Sequence, residues 1–426
     1  MNKNSFILGG ILLHHAIAYS STLEESWQAA RLHSAQYRSA YYSYLAAQEI
    51  SEQTKSQLRP QLAISTEHKR FSHDYGAYSQ DWKIEAHQPL FNRPHWLTHE
   101  TAQLSVQQAD YEFKHQDSEL LLNVSKAYLN VLLSHDKLKT NLAEQISYRQ
   151  QIEQAKALFH SGEATILDTY EAEAGLDESI AKSLHLQTEK ILAENQYRDL
   201  TGLSPQQITP ITQQSLPDFT TGTHEQEWID KALKNNASLQ AQWLLVEKSL
   251  RDIEIAESEH LPQLNLTAGY QDNRHHQHGL KQHHHGAYIG LHFSIPIYSG
   301  GHTDSRIKQS KALWEKQQSI FEHEQNHIRL QVKQTWATLQ GQKAQIQAQE
   351  KLLKSQIVKL EATRLGKHYG IRHSIDEIHA EQSYAEAQEK LASARYAYLE
   401  AWFTLLHLSG ELTKLPNLDN LYLPHR

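Results

Sequence analysis

The chain has 426 residues, a net charge of -8, no cysteine and 39 % hydrophobic residues, with a mean hydropathy of -0.65. So polar a chain does not build two or three ordinary globular domains; its Gln, Glu, Lys, Ala and Leu suit long, water-facing helices packed along narrow seams. Its scattered basic residues form no stripe that follows a phosphate backbone, which excludes nucleic acid as an expected partner, and the absence of cysteine fits an exported protein.

Residues 1–18 differ from the rest. Lys3 precedes the apolar run Phe6 to Leu13, and Ala16-Ile17-Ala18 offers small residues for cleavage, so this stretch reads as a secretory signal cut after Ala18. The run is short for an anchor helix. Thr22 to Leu58 has helical periodicity and is stopped by Arg59-Pro60. The period then changes to two. Leu62, Ile64 and Thr66 alternate with Ala63, Ser65 and Glu67, and Trp82, Ile84 and Ala86 alternate with Lys83, Glu85 and His87. These are two strands, about 61–70 and 80–90, joined by a loop around His68 to Gln80.

A long helical segment is expected from near Thr98 to about His160. It turns at Ser161-Gly162 and returns to Gly202. Val124, Val131, Leu138 and Ile152 keep a seven-residue register broken by Gln145, which is a coiled-coil seam. Residues 203–223, with Pro205, Pro210, Pro217 and Gly222, form a connector. Residues 224–410 then repeat the plan of 19–202. A helix runs from Glu225 to His260 and ends at Leu261-Pro262, strands follow at about 263–273 and 286–297, and Gly300-Gly301 gives a flexible joint before the next long helix. Val332, Leu339, Ile346, Leu353 and Leu360 keep the same register unbroken. Shifting Val332–Gly410 back by 208 residues lays it on Val124–Gly202 without a gap. Gly370 then falls on Gly162 and Asp376 on Asp168, so the chain is a duplicated half-molecule. Residues 411–426 are a C-terminal tail.

Four strands, each with one apolar and one polar face and aromatics near the ends, have the marks of segments with lipid on one side and water on the other. Four cannot close a barrel, and an open edge in hydrocarbon leaves backbone groups unpaired at several kcal/mol each. Three copies give twelve strands, an even number in the usual range. The expected fold is mainly α with a membrane β-barrel: duplicated helical hairpins forming a coiled-coil tube, plus four strands per chain in a twelve-stranded trimeric barrel.

Two histidine patterns suggest metals. The segment Asn273–His285 holds His275, His276, His278, His283, His284 and His285, which could bind zinc, copper or nickel but more often make up a polar, mobile loop. His323-Glu324-Gln325-Asn326-His327 matches H-E-x-x-H, the zinc-hydrolase spacing. The intervening polar residues and the position midway along a long helix weigh against catalysis.

Read together, Leu58-Arg59-Pro60-Gln61-Leu62 with its echo Leu261-Pro262-Gln263-Leu264, Gln88-Pro89-Leu90-Phe91, Ile295-Pro296-Ile297-Tyr298-Ser299-Gly300-Gly301 and Ala394-Arg395-Tyr396 resemble the TolC family of outer-membrane efflux proteins. The likeness runs from Leu23 to Gly410. It implies a homotrimer in outer-membrane lipid with a helical tube reaching into the periplasm. It also implies docking on a periplasmic adaptor (membrane fusion) protein and an inner-membrane pump or ABC transporter, for drug efflux or type I secretion. Such a conduit is passive and has no cofactor. By the same resemblance the tube closes near the turns Gly162–Asp168 and Gly370–Asp376. Arg372 stands where the family links to an aspartate, here Asp168, and Lys367 stands where the latch often has a tyrosine. Asp376 matches the first of two aspartates ringing the narrowed pore, and His379 replaces the second. An imidazole is ordinarily cationic below about pH 6.5, so acidity is expected to loosen cation binding at this tip, with His379→Asp as the test. The alternatives are a non-conducting coiled-coil protein crossing the periplasm and a zinc-dependent hydrolase at His323, Glu324 and His327.

Overall fold

The computed structural model describes residues 21–72, 77–205, 208–211, 220, 222–277 and 280–415. Residues 1–18, expected to be a secretory signal, His278, and the part of the expected C-terminal tail beyond residue 415 lie outside them. Each half of the chain contributes two short helices, a β-hairpin and a long helical hairpin. The first half has α1 (Leu23–His33), α2 (Ala35–Ser56), β1 (Gln61–Arg70), β2 (Tyr78–Phe91), α3 (Arg93–Ser161) and α4 (Ile166–Thr201). The second has α5 (Glu225–Asn235), α6 (Ala237–Ser258), β3 (Gln263–Gln277), β4 (Leu280–Ser294), α7 (His302–His368) and α8 (Ser374–Leu408).

Several boundaries differ from the sequence expectation, each for a local reason. The helices expected to be continuous over 22–58 and 225–260 are broken at Ser34 and Asn236. Both residues leave helical geometry at ψ near 120°, and their side chains accept from the backbone N–H groups of Tyr37 and Leu239. Each therefore caps a new helix. α3 starts at Arg93, not near Thr98, because Asn92 accepts from His95 N–H and Pro94 is tolerated in a first turn. β4 stops at Ser294 rather than 297, ahead of Pro296, which has no N–H to give.

α3 and α7 contain 69 and 67 residues, so each is about 100 Å long at about 1.5 Å per residue. Their partners α4 and α8 return alongside. Gly162 (φ 81°) and Gly370 (φ 74°) end the outgoing helices in left-handed geometry. Glu163 N–H and Ile371 N–H then reach back five residues to Leu158 and Gly366 carbonyls, both at 2.8 Å, a glycine-terminated helix stop.

The main core lies where α1 and α5 pack against the long helices. Tyr128, Tyr197 and Phe403 are fully buried there. Trp27 donates its indole N–H to Leu121 O and Ser125 Oγ, and the Tyr128 hydroxyl donates to Thr209 O at 2.6 Å. Toward the turns the seam becomes polar. Gln145, the residue that breaks the first heptad run, is buried but satisfied: its amide donates to Asn141 Oδ1 and Ser179 O. A buried polar side chain with partners is tolerated where an unpaired one is not.

At the far end of α8, His407 Nδ1 sits 2.8 Å from Ser118 Oγ, and the ring lies 5.6 Å from His115. Burial, helped by His115 and Lys126, pushes its pKa down to about 4. The unfolded chain therefore takes up this proton first as pH falls. The stability His407 contributes is complete above about pH 6.5 and is lost as pH drops toward about 4. For a partly exposed ring we expect about 2 kcal/mol. Melting temperatures of wild type and His407→Gln at pH 7.5 and 4.5 check this: the variant should lose less on acidification, and equal losses would reject it.

Candidate functional site: a membrane band and a helical tip

The four strands form one antiparallel sheet in the order β1-β2-β3-β4. The register places Ile64 opposite Ile84, Ile84 opposite Tyr270, Ala268 opposite Ile289, Leu266 opposite Leu291 and Leu264 opposite Phe293. Alternation then puts all of these, with Leu62 and Trp82, on one face. That face is open: Leu62 is 73 %, Ile289 76 % and Leu291 67 % exposed. A contiguous exposed apolar surface of this kind marks an interaction with lipid or protein.

The opposite face is polar. Lys83 Nζ lies 3.3 Å from Glu85 Oε1, and the Tyr288 hydroxyl donates to Glu85. Tyr288 reaches Glu85 by lying across Gly269, where a Cβ would stand 2.6 Å from the Ile84 carbonyl and 2.9 Å from the tyrosine hydroxyl. A sheet greasy on one side and laced with ion pairs on the other separates lipid from water. Among the described residues no helix is long and apolar enough to cross a membrane.

The segment read as a histidine-rich loop is corrected. β3 and β4 pair from Gln263↔Ser294 to Gln277↔Leu280, so His275, His276, His283, His284 and His285 are strand residues. In the same way β1 and β2 pair through His68↔Gln80 to Arg70↔Tyr78, which shortens the loop expected from His68. Alternation divides the histidines. His276, His283 and His285 share the face of the apolar band, while His275 and His284 point to the polar face, where His275 Nε2 is 3.5 Å from Asp81 Oδ1. Among the described residues no three His, Asp or Glu side chains are grouped to hold a metal ion. The five placed histidines are thus not one ligand set. In α7, His323 and His327 stack at 6.4 Å on an exposed face, and Glu324 Oε2 is 3.9 Å from His327 Nδ1. Two imidazoles on a wet helix surface leave out the third ligand and enclosed cleft that a catalytic zinc needs.

At the opposite end, the first turns of α4 and α8 are built alike. Thr165 N–H and Oγ–H donate to Asp168 Oδ2 at 3.0 and 2.8 Å, and His373 N–H donates to Asp376 Oδ2 at 3.1 Å. Burial tends to raise the Asp168 pKa, but hydrogen bonds from Thr165 and from Ser374 of the other hairpin outweigh it and hold the carboxyl below its usual range. Within the chain Arg372 faces Asp376 of its own hairpin (Nη1–Oδ2 3.9 Å), not Asp168. Its stem packs against Gly366. Lys367 is nearly enclosed. Its Nζ lies 2.7 Å from Glu377 Oε2 and 3.4 Å from Gln154 of the first hairpin. Arg364 bonds Glu377 at 3.4 Å and Glu381 at 2.8 Å. Asp376 is half-buried and His379 exposed, one turn apart on α8. Arg364, Glu377, Glu381 and Gln154 were not singled out in the sequence; their spacings belong to no motif, and only the folding of the hairpin brings them together.

An exposed apolar sheet face borne on long, water-facing helical hairpins is the build of a membrane-inserted protein. The chain belongs to the outer membrane efflux protein family, whose profile it matches over residues 23–203 and 228–411. It is 26 % identical to the outer membrane protein TolC of Vibrio cholerae, over 94 % of this chain and 93 % of that one. It is also 25 % identical to the proteases secretion protein PrtF of Dickeya chrysanthemi, over 97 % and 94 %. The fold is that of CusC (TM-score 0.78, 17 % identity, 91 % and 92 % covered) and of the outer-membrane channel MtrE of Neisseria gonorrhoeae (TM-score 0.77, 17 % identity, 92 % and 89 % covered). The protein is therefore an outer-membrane exit duct and not an enzyme, which overturns the hydrolase alternative at His323, Glu324 and His327.

Proposed function

We propose that three copies of the chain pool their sheets into one twelve-stranded barrel and their helical hairpins into a duct reaching into the periplasm. The supporting observation is the open order of the sheet: β1 and β4 are edges of a surface whose apolar face is bare. An edge left in hydrocarbon costs several kcal/mol per unpaired group, and pairing β1 of one copy with β4 of the next removes it. The duct docks on a periplasmic adaptor and an inner-membrane pump or ABC transporter. It passes small molecules or polypeptides; relatives named for protease secretion favour the latter as one cargo. Sedimentation in detergent tests the assembly, and a monomer as the stable species would overturn it.

We assign the gate to the tip, with Asp168, Arg372 and Lys367 as its latch and Asp376 with His379 as its cation-selecting rings. Threefold symmetry would bring three Asp376 carboxylates together, a site that attracts cations and can be blocked by them. In planar bilayers Asp376→Asn, which removes all three carboxylates of the ring, should raise the divalent-cation concentration that halves conductance by at least about tenfold. An unchanged block would remove Asp376 from the pore. His379→Asp, which adds a carboxylate from each copy, should strengthen the block.

A further inference from the structure

We propose that the outward rim of the barrel binds the phosphate groups of anionic lipid headgroups in the outer leaflet. The proposal rests on the barrel reading, which sets the hairpin ends of the strands at the leaflet away from the helices. On the lipid-facing side the apolar band ends at Trp82 and Tyr270, whose rings stand 5.6 Å apart. Aromatic side chains of this kind sit at headgroup level.

Beyond that line the same face changes its chemistry. β1 continues with His68 and Arg70, β3 with Asp272, Arg274 and His276, and β4 with His285, His283 and Lys281; β2 supplies only Gln80 and Tyr78. Tyr78 stacks on His276 at 5.4 Å and lies 6.2 Å from His68, fixing these rings in a row. The one carboxylate on this side of the described strands, Asp272, is already held by Arg274 at 3.1 Å and His283 at 2.9 Å. No carboxylate of the described strands on this side therefore offsets Arg70 and Lys281, which are both exposed.

The polar face at the same height is different. Glu67 pairs with Lys69 at 2.7 Å, and Asp81 stands 3.5 Å from His275, so that face carries carboxylates of its own beside its one lysine at this level. Among the described strands charge is thus segregated by face, and Arg70 and Lys281 lie on the side where lipid begins. A free anion would not need an adjoining apolar band. A lipid needs both, with its chains against Ile289 and Leu291 and its phosphates against Arg70 and Lys281. The Tyr78 hydroxyl supplies a further donor at the same level.

The test uses the full-length protein purified in a mild detergent. Diphosphorylated lipid A, its dephosphorylated form and inorganic phosphate are titrated in separate arms, and bound lipid is counted by native mass spectrometry. Each Lys or Arg near an anionic surface contributes about fivefold in affinity, so Arg70→Gln/Lys281→Gln should bind diphosphorylated lipid A about 30-fold more weakly than wild type. Wild type should bind the dephosphorylated lipid as weakly, and millimolar inorganic phosphate should not displace the lipid. Equal binding by variant and wild type, or equal binding of both lipids, would overturn the proposal. Displacement by inorganic phosphate would reassign the rim to free anions. The same spectrum reads the oligomeric state: a wild-type monomer would bring down the barrel reading, whereas a trimer indifferent to lipid phosphate would bring down only this inference.

Discussion

Ile289→Arg will abolish insertion into the outer membrane, while His292→Arg, three residues away on the same strand, will leave it intact. Ile289 pairs with Ala268 in the apolar band and is bare in the isolated chain; His292 pairs with Asn265 on the polar face. An arginine on the lipid face costs about 2–4 kcal/mol at the bilayer midplane and less toward the headgroups. Ile289 lies one residue pair inside the Trp82–Tyr270 line, so we expect about 2 kcal/mol per copy and about 6 kcal/mol per trimer, comparable with the whole stability of a marginal domain. On the water-facing side the same charge stays hydrated, and the cost is small. The contrast tests the assignment of faces rather than mere tolerance of arginine, because both substitutions lie in β4. Membrane fractionation followed by trimer bands on unheated gels reads the result. Equal insertion of both variants would mean that the exposed face meets protein instead of lipid.

That face was legible in the sequence because a strand with one wet side writes its period of two in hydrophobicity. Leu62-Ala63-Ile64 and Leu264-Asn265-Leu266 announce themselves without any structure. The distal strand halves were not legible for the same reason. In Asn273–Gln277 and Leu280–His285 both faces are polar, so alternation survives in the backbone while its hydrophobic signature disappears, and a paired ribbon reads as a loop. The helix breaks at Ser34 and Asn236 are a second case. A single cap residue diverts the chain without disturbing the apolar spacing around it. The tip marks a third limit. Gly162 and Gly370 were visible as turns, and so was the equivalence of Asp168 and Asp376. What Lys367 touches depended on how two helices face each other after the turn, and spacing along the chain carries no trace of that.

Lys367→Met will loosen the tip far more than removal of an ordinary surface cation. Most ion pairs of this chain are exposed and worth under about 1 kcal/mol each. Lys367 and Glu377 are different, with side chains only 12 % and 10 % exposed and 2.7 Å apart. Removing one partner of a buried pair strands the other, at a cost of about 3–5 kcal/mol. Arg364, at 3.4 Å from Glu377 and shared with Glu381, supplies part of the missing charge, so we expect about 3 kcal/mol. A local opening eased by that amount speeds amide exchange about 150-fold. The increase should be confined to the turns near Gly162 and Gly370, because Lys367 also joins the hairpins through Gln154. Glu377→Gln in the same chain removes the stranded charge and should restore most of the protection, whereas a cation acting only at the surface would give no such recovery. Hydrogen exchange on wild type, Lys367→Met, Glu377→Gln and the double variant completes the cycle. Additive effects would show that Lys367 and Glu377 are not coupled, and the latch would then have to be sought at Asp168 and Ser374. Recovery in the double variant, accompanied by higher single-channel conductance in Lys367→Met alone, would tie closure of the duct to a lysine that holds its own hairpin in shape.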